Sequence, residues 1–183
     1  MTYLETLEGR RFFSVTITQD APFILNVAVN GYARVEETAP KTFAVFGSAD
    51  DANPLGTYSG IDTLIVQGGR HDDEIVVTMD SSQVFASIDG GKGSDAITVT
   101  DTAFFTASPI TVSGGNGNDL ITVVRGNKTK VFGEKGDDTI VVLAGSATVD
   151  GGNGHDAVTF SGVGTTVTVV PSRGSDTVNG GIA

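Results

Sequence analysis

GGNGNDLITVVRGNKTKVFGEKGDDTIVVLAGSATVDGGNGHDAVTF, from Gly114 to Phe160, holds one pattern three times. A glycine-rich turn with Asp in its sixth place opens each copy, and a short alternation of apolar and polar residues follows. Working outward, the turn recurs upstream as GGKGSDAIT from Gly90 and GGRHDDEIV from Gly68, and downstream in degraded form as PSRGSDTVN from Pro171. The six turns start 22, 24, 19, 18 and 20 residues apart. A coil of that length accommodates two strands of about five or six residues and two turns.

The apolar positions line up from coil to coil. Two residues after each Asp stand Ile75, Ile97, Ile121, Ile140, Val158 and Val178; two further on stand Val77, Val99, Val123, Val142 and Phe160, until Gly180 ends the series. Before the turns, Val66, Ile88, Val112, Val131, Val149 and Val169 form one column. Leu64, Ala86, Ile110, Thr129, Ala147 and Val167 form another. A spacing of two places these residues on one face of each strand, and the repeat stacks them into inward ladders. The expected fold is all-β, a right-handed parallel β-roll or β-solenoid with about 18–24 residues per coil and its Asp-bearing turns along one edge. The other edge (MDSSQ, DTAFFTASP, RGNKTK, AGS, SGVGTT) varies in length and carries no shared ligand type.

Three segments follow: an N-terminal stretch 1–23, degenerate coils or a β cap over 24–63, and the roll proper over 64–183. Phe43 and Val45 before Gly47, and Val27 and Val29 before Asn30-Gly31, resemble coil strands approaching a turn. An Asn-Gly hairpin is the alternative at Asn30-Gly31.

The composition fits a glycine-punctuated β architecture. The 183 residues include 25 glycines, no Cys, no Trp and only two His, with a formal net charge of −11 and a pI near 4.3. Nucleic-acid phosphates need Lys and Arg to displace counterions, so nucleic acid is not an expected partner. Anionic membrane surfaces are disfavoured on the same ground. No run approaches the roughly 18 apolar residues of a membrane span. Without cysteine there is no disulfide framework. The N-terminus has no apolar stretch of the signal-peptide kind, so an exported chain is expected to carry its signal elsewhere, to have lost it, or to use an unconventional one.

The acids are not scattered. Asp73, Asp95, Asp119, Asp138, Asp156 and Asp176 recur once per coil and form a row at the strand spacing of about 4.8 Å. Two carboxylates at that distance repel by roughly 0.9 kcal/mol even at water's dielectric, and more near a protein surface. A cation between them would remove the liability. Calcium suits the gap because it takes six to eight oxygens and mixes carboxylates with carbonyls, whereas magnesium demands tight octahedral geometry. Zinc wants His or Cys, which are almost absent.

These turns resemble the calcium-binding nonapeptide of the RTX, or hemolysin-type, repeat family. The resemblance covers about residues 64–180. It implies ions held between turns of successive coils by turn carbonyls and the sixth-place Asp. Carried over, the ligand-bearing turns are those of Gly90, Gly91 and Gly93; Gly114, Gly115 and Gly117; Gly133 and Gly136; and Gly151, Gly152 and Gly154, with the six aspartates. The chain departs from the family pattern by having one motif per coil, which implies one ion ladder in place of two. His71 and Glu134 each replace a glycine, and Pro171 and Ser172 replace two, so the end sites are expected to be weaker than the middle ones. LETLEGRRFFSV at the N-terminus is similar to the LEPR-XLL motif of bacterial secreted and surface proteins, which implies a processing or localisation role for Leu7–Phe13; a polar lead-in to a first strand is the alternative.

GNGHDA and GKGSDA match a dinucleotide-binding glycine pattern, but β sequence follows each where that motif needs a helix. No nucleophile elbow or Ser, His and acid cluster is visible, so the chain is not expected to be an enzyme. His71 and His155 are read as solvated turn residues. Thr98, Thr122 and Thr159 raise an ice-binding face, against which Val76, Val141 and Asn179 in the same column count. The expected function is that of a secreted or cell-surface bacterial structural protein that folds on calcium and assembles end to end into a fibre or layer, the strand RRFFSVTITQ adding to a neighbour's open edge. The alternative is a calcium-folding module of a larger secreted adhesin, toxin or enzyme.

Overall fold

A computed structural model describes residues 2–5, 13–19, 23–80, 84–102, 109–162 and 164–180. Within them the strands are β1 (Thr2–Glu5), β2 (Phe13–Gln19), β3 (Ile24–Asn30), β4 (Tyr32–Ala39), β5 (Thr42–Phe46) and β6 (Gly56–Ser59). There follow β7 (Thr63–Gln67), β8 (Glu74–Met79), β9 (Phe85–Lys92), β10 (Ala96–Asp101), β11 (Ile110–Asn116) and β12 (Leu120–Lys135). The last are β13 (Thr139–Val142), β14 (Gly145–Gly154), β15 (Ala157–Phe160), β16 (Thr166–Val170), β17 (Arg173–Gly174) and β18 (Thr177–Gly180). There is no helix among the described residues, and the stacked parallel strands make a β-solenoid of about five turns.

Every strand before an Asp turn lies in one sheet and every strand after it in the other. The first sheet runs β3, β7, β9, β11, β12, β14 and then β16 with β17, all parallel. The second runs β4, β8, β10, β12, β13, β15, β18, again parallel. β12 serves both sheets, its first half pairing with β13 and its second with β14. The registers match the columns expected from the sequence: Ile97 pairs with Ile75 and Ile121, and Val112 with Ile88 and Val131. The ladders from Leu64 to Val158 face inward and are buried, so the core is one continuous column of Val, Ile and Leu between the sheets.

Thr129 is the one hydroxyl in that column. It stands between Ile110 and Ala147, 1% exposed, and its Oγ1 has no hydrogen-bond partner. A buried unpaired hydroxyl is destabilising, and valine has nearly the same shape. Thr129→Val is expected to raise stability by about 1 kcal/mol in denaturant unfolding; a loss would show that the hydroxyl has a partner.

Three expectations are corrected. Phe43 and Val45 lie in β5, which runs antiparallel to β4 and is itself followed by antiparallel β6, so this stretch extends the second sheet and is not a coil. By contrast, β3 and β4 pair with β7 and β8 and lie in different sheets, so Gly31 turns a coil and not a hairpin. The strand RRFFSVTITQ was expected to be free for a neighbour, but its part in β2 is paired on both sides, with β3 and with β1. Its first residues and most of the Leu7–Phe13 motif lie outside the described residues. Lastly, Val178 is 49% exposed, and Val167 and Val169 are only partly buried. The terminal layer has no coil packed on its far side among the described residues, so its inward positions keep one open flank.

Candidate metal centre

Each Asp turn joins a strand of the first sheet to one of the second, and stacking brings the sixth-place carboxylates into a column. Asp73, Asp95, Asp119, Asp138 and Asp156 are 1–3% exposed, while Asp176 is exposed. They do not form a bare row of facing charges. From Asp95 onward each Oδ1 accepts the backbone N–H of the Asp one coil earlier: Asp73 N–H to Asp95 at 2.7 Å, Asp95 to Asp119 at 2.8 Å and Asp119 to Asp138 at 2.8 Å. Asp138 donates to Asp156 at 3.0 Å and Asp156 to Asp176 at 3.2 Å. The repulsion expected along the row is therefore partly offset by amide dipoles aimed at every carboxylate.

The second oxygens divide the column. Asp73 Oδ2 accepts the Gly69 N–H at 2.7 Å while its Oδ1 accepts the Gly31 N–H, and Asp176 Oδ2 accepts the Ser172 hydroxyl at 2.6 Å. The Oδ2 atoms of Asp95, Asp119, Asp138 and Asp156 are buried with no hydrogen-bond partner. Burial drives Asp95 and Asp138 up to about 6 and Asp119 up to about 7, against the lowering by the backbone N–H that each accepts and with added repulsion from neighbouring carboxylates. Asp156 is raised for the same reasons. Four orphaned anionic oxygens in one buried file are the electrostatic problem that a cation solves.

The glycines make room for this file. A Cβ at Gly90 would lie 2.5 Å from both Asp95 Oδ2 and the carbonyl of Gly114 in the next coil, and one at Gly133 would lie 2.3 Å from both Asp138 Oδ2 and the Gly151 carbonyl. Carboxylate and carbonyl oxygens thus converge where any side chain would block them. Gly114 and Gly151 stand as close to Oδ2 of Asp119 and Asp156. The second-place Gly91, Gly115 and Gly152 and the fourth-place Gly93, Gly117, Gly136 and Gly154 all have positive φ. Glu134 adopts φ +77° in a second place and accepts a hydrogen bond from Ser113 Oγ at 2.8 Å.

Among the described residues no three His, Cys, Asp or Glu side chains gather round one point. A cation here would take one or two carboxylate oxygens and fill its shell with turn carbonyls. That donor set is hard, oxygen-only and irregular, which fits calcium and does not fit zinc.

A second ladder escaped the sequence reading. Fifth-place side chains accept from the following coil, in the opposite sense to the aspartates: Ser94 N–H to Asp72 Oδ1 at 2.9 Å, Asp137 N–H to Asn118 Oδ1 at 2.9 Å, and His155 N–H to Asp137 Oδ1 at 2.8 Å. Asp or Asn at the fifth place of three turns was the available signal. The chain matches no family model, no curated protein and no solved structure.

Proposed function

We propose that this protein is a calcium-folded structural solenoid of the bacterial cell exterior, in which ions file along the Asp edge and hold the coils together. One observation carries the reading: four buried carboxylate oxygens in a single column lack any partner, beside carbonyls and glycines that leave space for an ion. Asp95, Asp119, Asp138 and Asp156 would hold the ions with the turn carbonyls, and calcium would supply the positive charge. The chain's own part is to bury the carboxylates, orient them through the Oδ1 ladder and exclude water. Because the column does not exist in the unfolded chain, ion binding acts as folding free energy.

The ladder also fixes the expected stoichiometry. Asp73 and Asp176 have both of their carboxylate oxygens hydrogen-bonded within the chain and act as ends. Equilibrium dialysis is therefore expected to return four ions per chain, unchanged by Asp73→Asn, while Asp119→Ala or Asp138→Ala lowers uptake and stability more than Asp176→Ala. Circular dichroism is expected to pass from coil to β as calcium rises into the millimolar range, about 2.7 kcal/mol per site at a hundredfold excess over Kd. An unchanged spectrum after exhaustive calcium removal would overturn the reading.

The terminal layer, with Val178 exposed, is the place where another layer would add. In the preferred reading a second copy stacks there and builds a fibre or surface layer; in the other, the roll is a module of a larger secreted adhesin, toxin or enzyme. Filaments in electron microscopy with calcium support the first, and monomers at high calcium leave the second.

A further inference from the structure

The first Asp turn is built unlike those that follow it. In the turns of Asp95, Asp119 and Asp156 the second and fourth places are glycines with positive φ, whereas residues 68–73 contain no positive φ and His71 fills the fourth place. Along that path the Gly69 N–H reaches Asp73 Oδ2 at 2.7 Å and the Gly31 N–H reaches Oδ1. Backbone amides thus occupy both oxygens of Asp73, where each of the next four turns leaves Oδ2 unpaired. The Glu74 N–H returns to the Gly31 carbonyl at 2.6 Å, which ties β8 to the turn between β3 and β4. The opposite edge is closed by Lys41 Nζ on Asp62 Oδ1 at 2.6 Å, by the Ile61 N–H on Lys41 O at 3.0 Å and by the Asp80 N–H on Glu37 Oε2 at 2.8 Å. Between these edges β2, β3 and β7 face β4, β5, β6 and β8. Their core holds Phe43, the largest fully buried side chain among the described residues, with Leu25, Ile61 and Leu64. Two packed sheets of three or more strands, over roughly 65 residues, suffice for independent stability. The other end has no such block: Asp176 also has both oxygens bonded, but Val178 two residues on is half exposed.

We propose that β2–β8 fold without calcium and form a template on which the ion-dependent coils close in order, from Asp95 to Asp156. This direction of folding rests on the ion reading. Among the described residues, every buried carboxylate oxygen without a partner lies at Asp95 or beyond, so removing the ion leaves uncompensated charge only there. Once formed, β7 and β8 offer open strand edges to β9 and β10, and the Asp73 N–H donates to Asp95 Oδ1 at 2.7 Å. That donor fixes the register of the first ion-bearing coil, and each later Asp N–H does the same for the next. A stack whose repeats touch only their neighbours propagates in this way from whichever unit is stable alone. The coil-to-β change on adding calcium then belongs to β9 and the strands after it.

Hydrogen exchange read by mass spectrometry on the whole chain at pH 8, stripped of calcium and then titrated with it, tests this. In stripped protein the amides of β3, β7 and β8 are expected to stay protected while those of β9–β15 exchange as in a free chain; calcium restores the second group. Asp156→Ala is expected to leave the template protected without calcium and, with it, to lose protection in the last coils alone. Phe43→Ala, inside the template and outside every ion-bearing turn, is expected to shift the closing of β9–β15 to higher calcium. Loss of protection in β3, β7 and β8 on stripping, regained together with β9–β15 on adding calcium, overturns the proposal and leaves the ion reading standing. So does Phe43→Ala protein whose later coils close at the wild-type calcium concentration while β3, β7 and β8 exchange freely. Protection of β9–β15 in stripped protein ends the ion reading and this direction of folding with it.

Discussion

Gly117→Ala lowers the stability of the calcium-loaded roll by about 3 kcal/mol or more, and its thermal midpoint by roughly 6–12 °C. The glycine has φ +130°, and a Cβ there would lie 1.8 Å from the Gly93 carbonyl oxygen and 2.6 Å from its carbon. Both contacts are to backbone of the adjoining coil, so no side chain can swing aside and only separation of two coils relieves the overlap. Separation would break the Gly93 N–H bond to Asn116 O at 2.9 Å and disturb the Asp95–Asp119 link. Gly164 has φ +77° with nothing within 4 Å of its added Cβ. Gly164→Ala is therefore expected to cost only the conformational strain, about 1 kcal/mol. Equal losses at both positions in calorimetry would mean that backbone strain, and not inter-coil contact, sets the requirement for glycine.

Calcium-stripped protein is expected to gain stability on acidification, the reverse of ordinary acid denaturation. The folded chain holds Asp119 at about 7 and Asp95 and Asp138 at about 6, above the ordinary carboxylate value near 3.8. Between those limits the folded state binds more protons than the unfolded one, so stability falls as pH rises through the window. From pH 5 to pH 8 the loss is expected to be about 2 kcal/mol or more, so the stripped chain regains β structure toward pH 5. Calcium should cancel the trend, because an ion replaces the proton as the neutralising charge. Asp119→Asn then acts with opposite signs: it removes a buried charge and stabilises the stripped protein at pH 8, yet it weakens the response to calcium. The β content of both proteins by circular dichroism at pH 5 and pH 8, with and without calcium, tests this; stripped wild-type protein with more β structure at pH 8 than at pH 5 would contradict it.

Much of this molecule is written locally. The coil repeat, the two-sheet plan and the inward ladders from Leu64 to Val158 follow from alternation at period two and from turns spaced about twenty residues apart. Those signals lie within one coil and simply repeat, so the sequence alone determined the solenoid and singled out the six aspartates. Which way β5 runs could not be read, because Phe43 and Val45 alternate equally well in a parallel or an antiparallel strand, and the free edge beside β4 decides. The fate of the carboxylates was likewise a tertiary matter. From Asp95 to Asp176 each Oδ1 finds its donor 18 to 24 residues away in the adjoining coil. Whether Oδ2 is left alone depends on Gly69 or Ser172 reaching it first. Identical motifs thus become two satisfied ends and four unsatisfied middle positions only when the coils are stacked, since hydrogen-bond partners across layers are chosen by proximity in space and not along the chain.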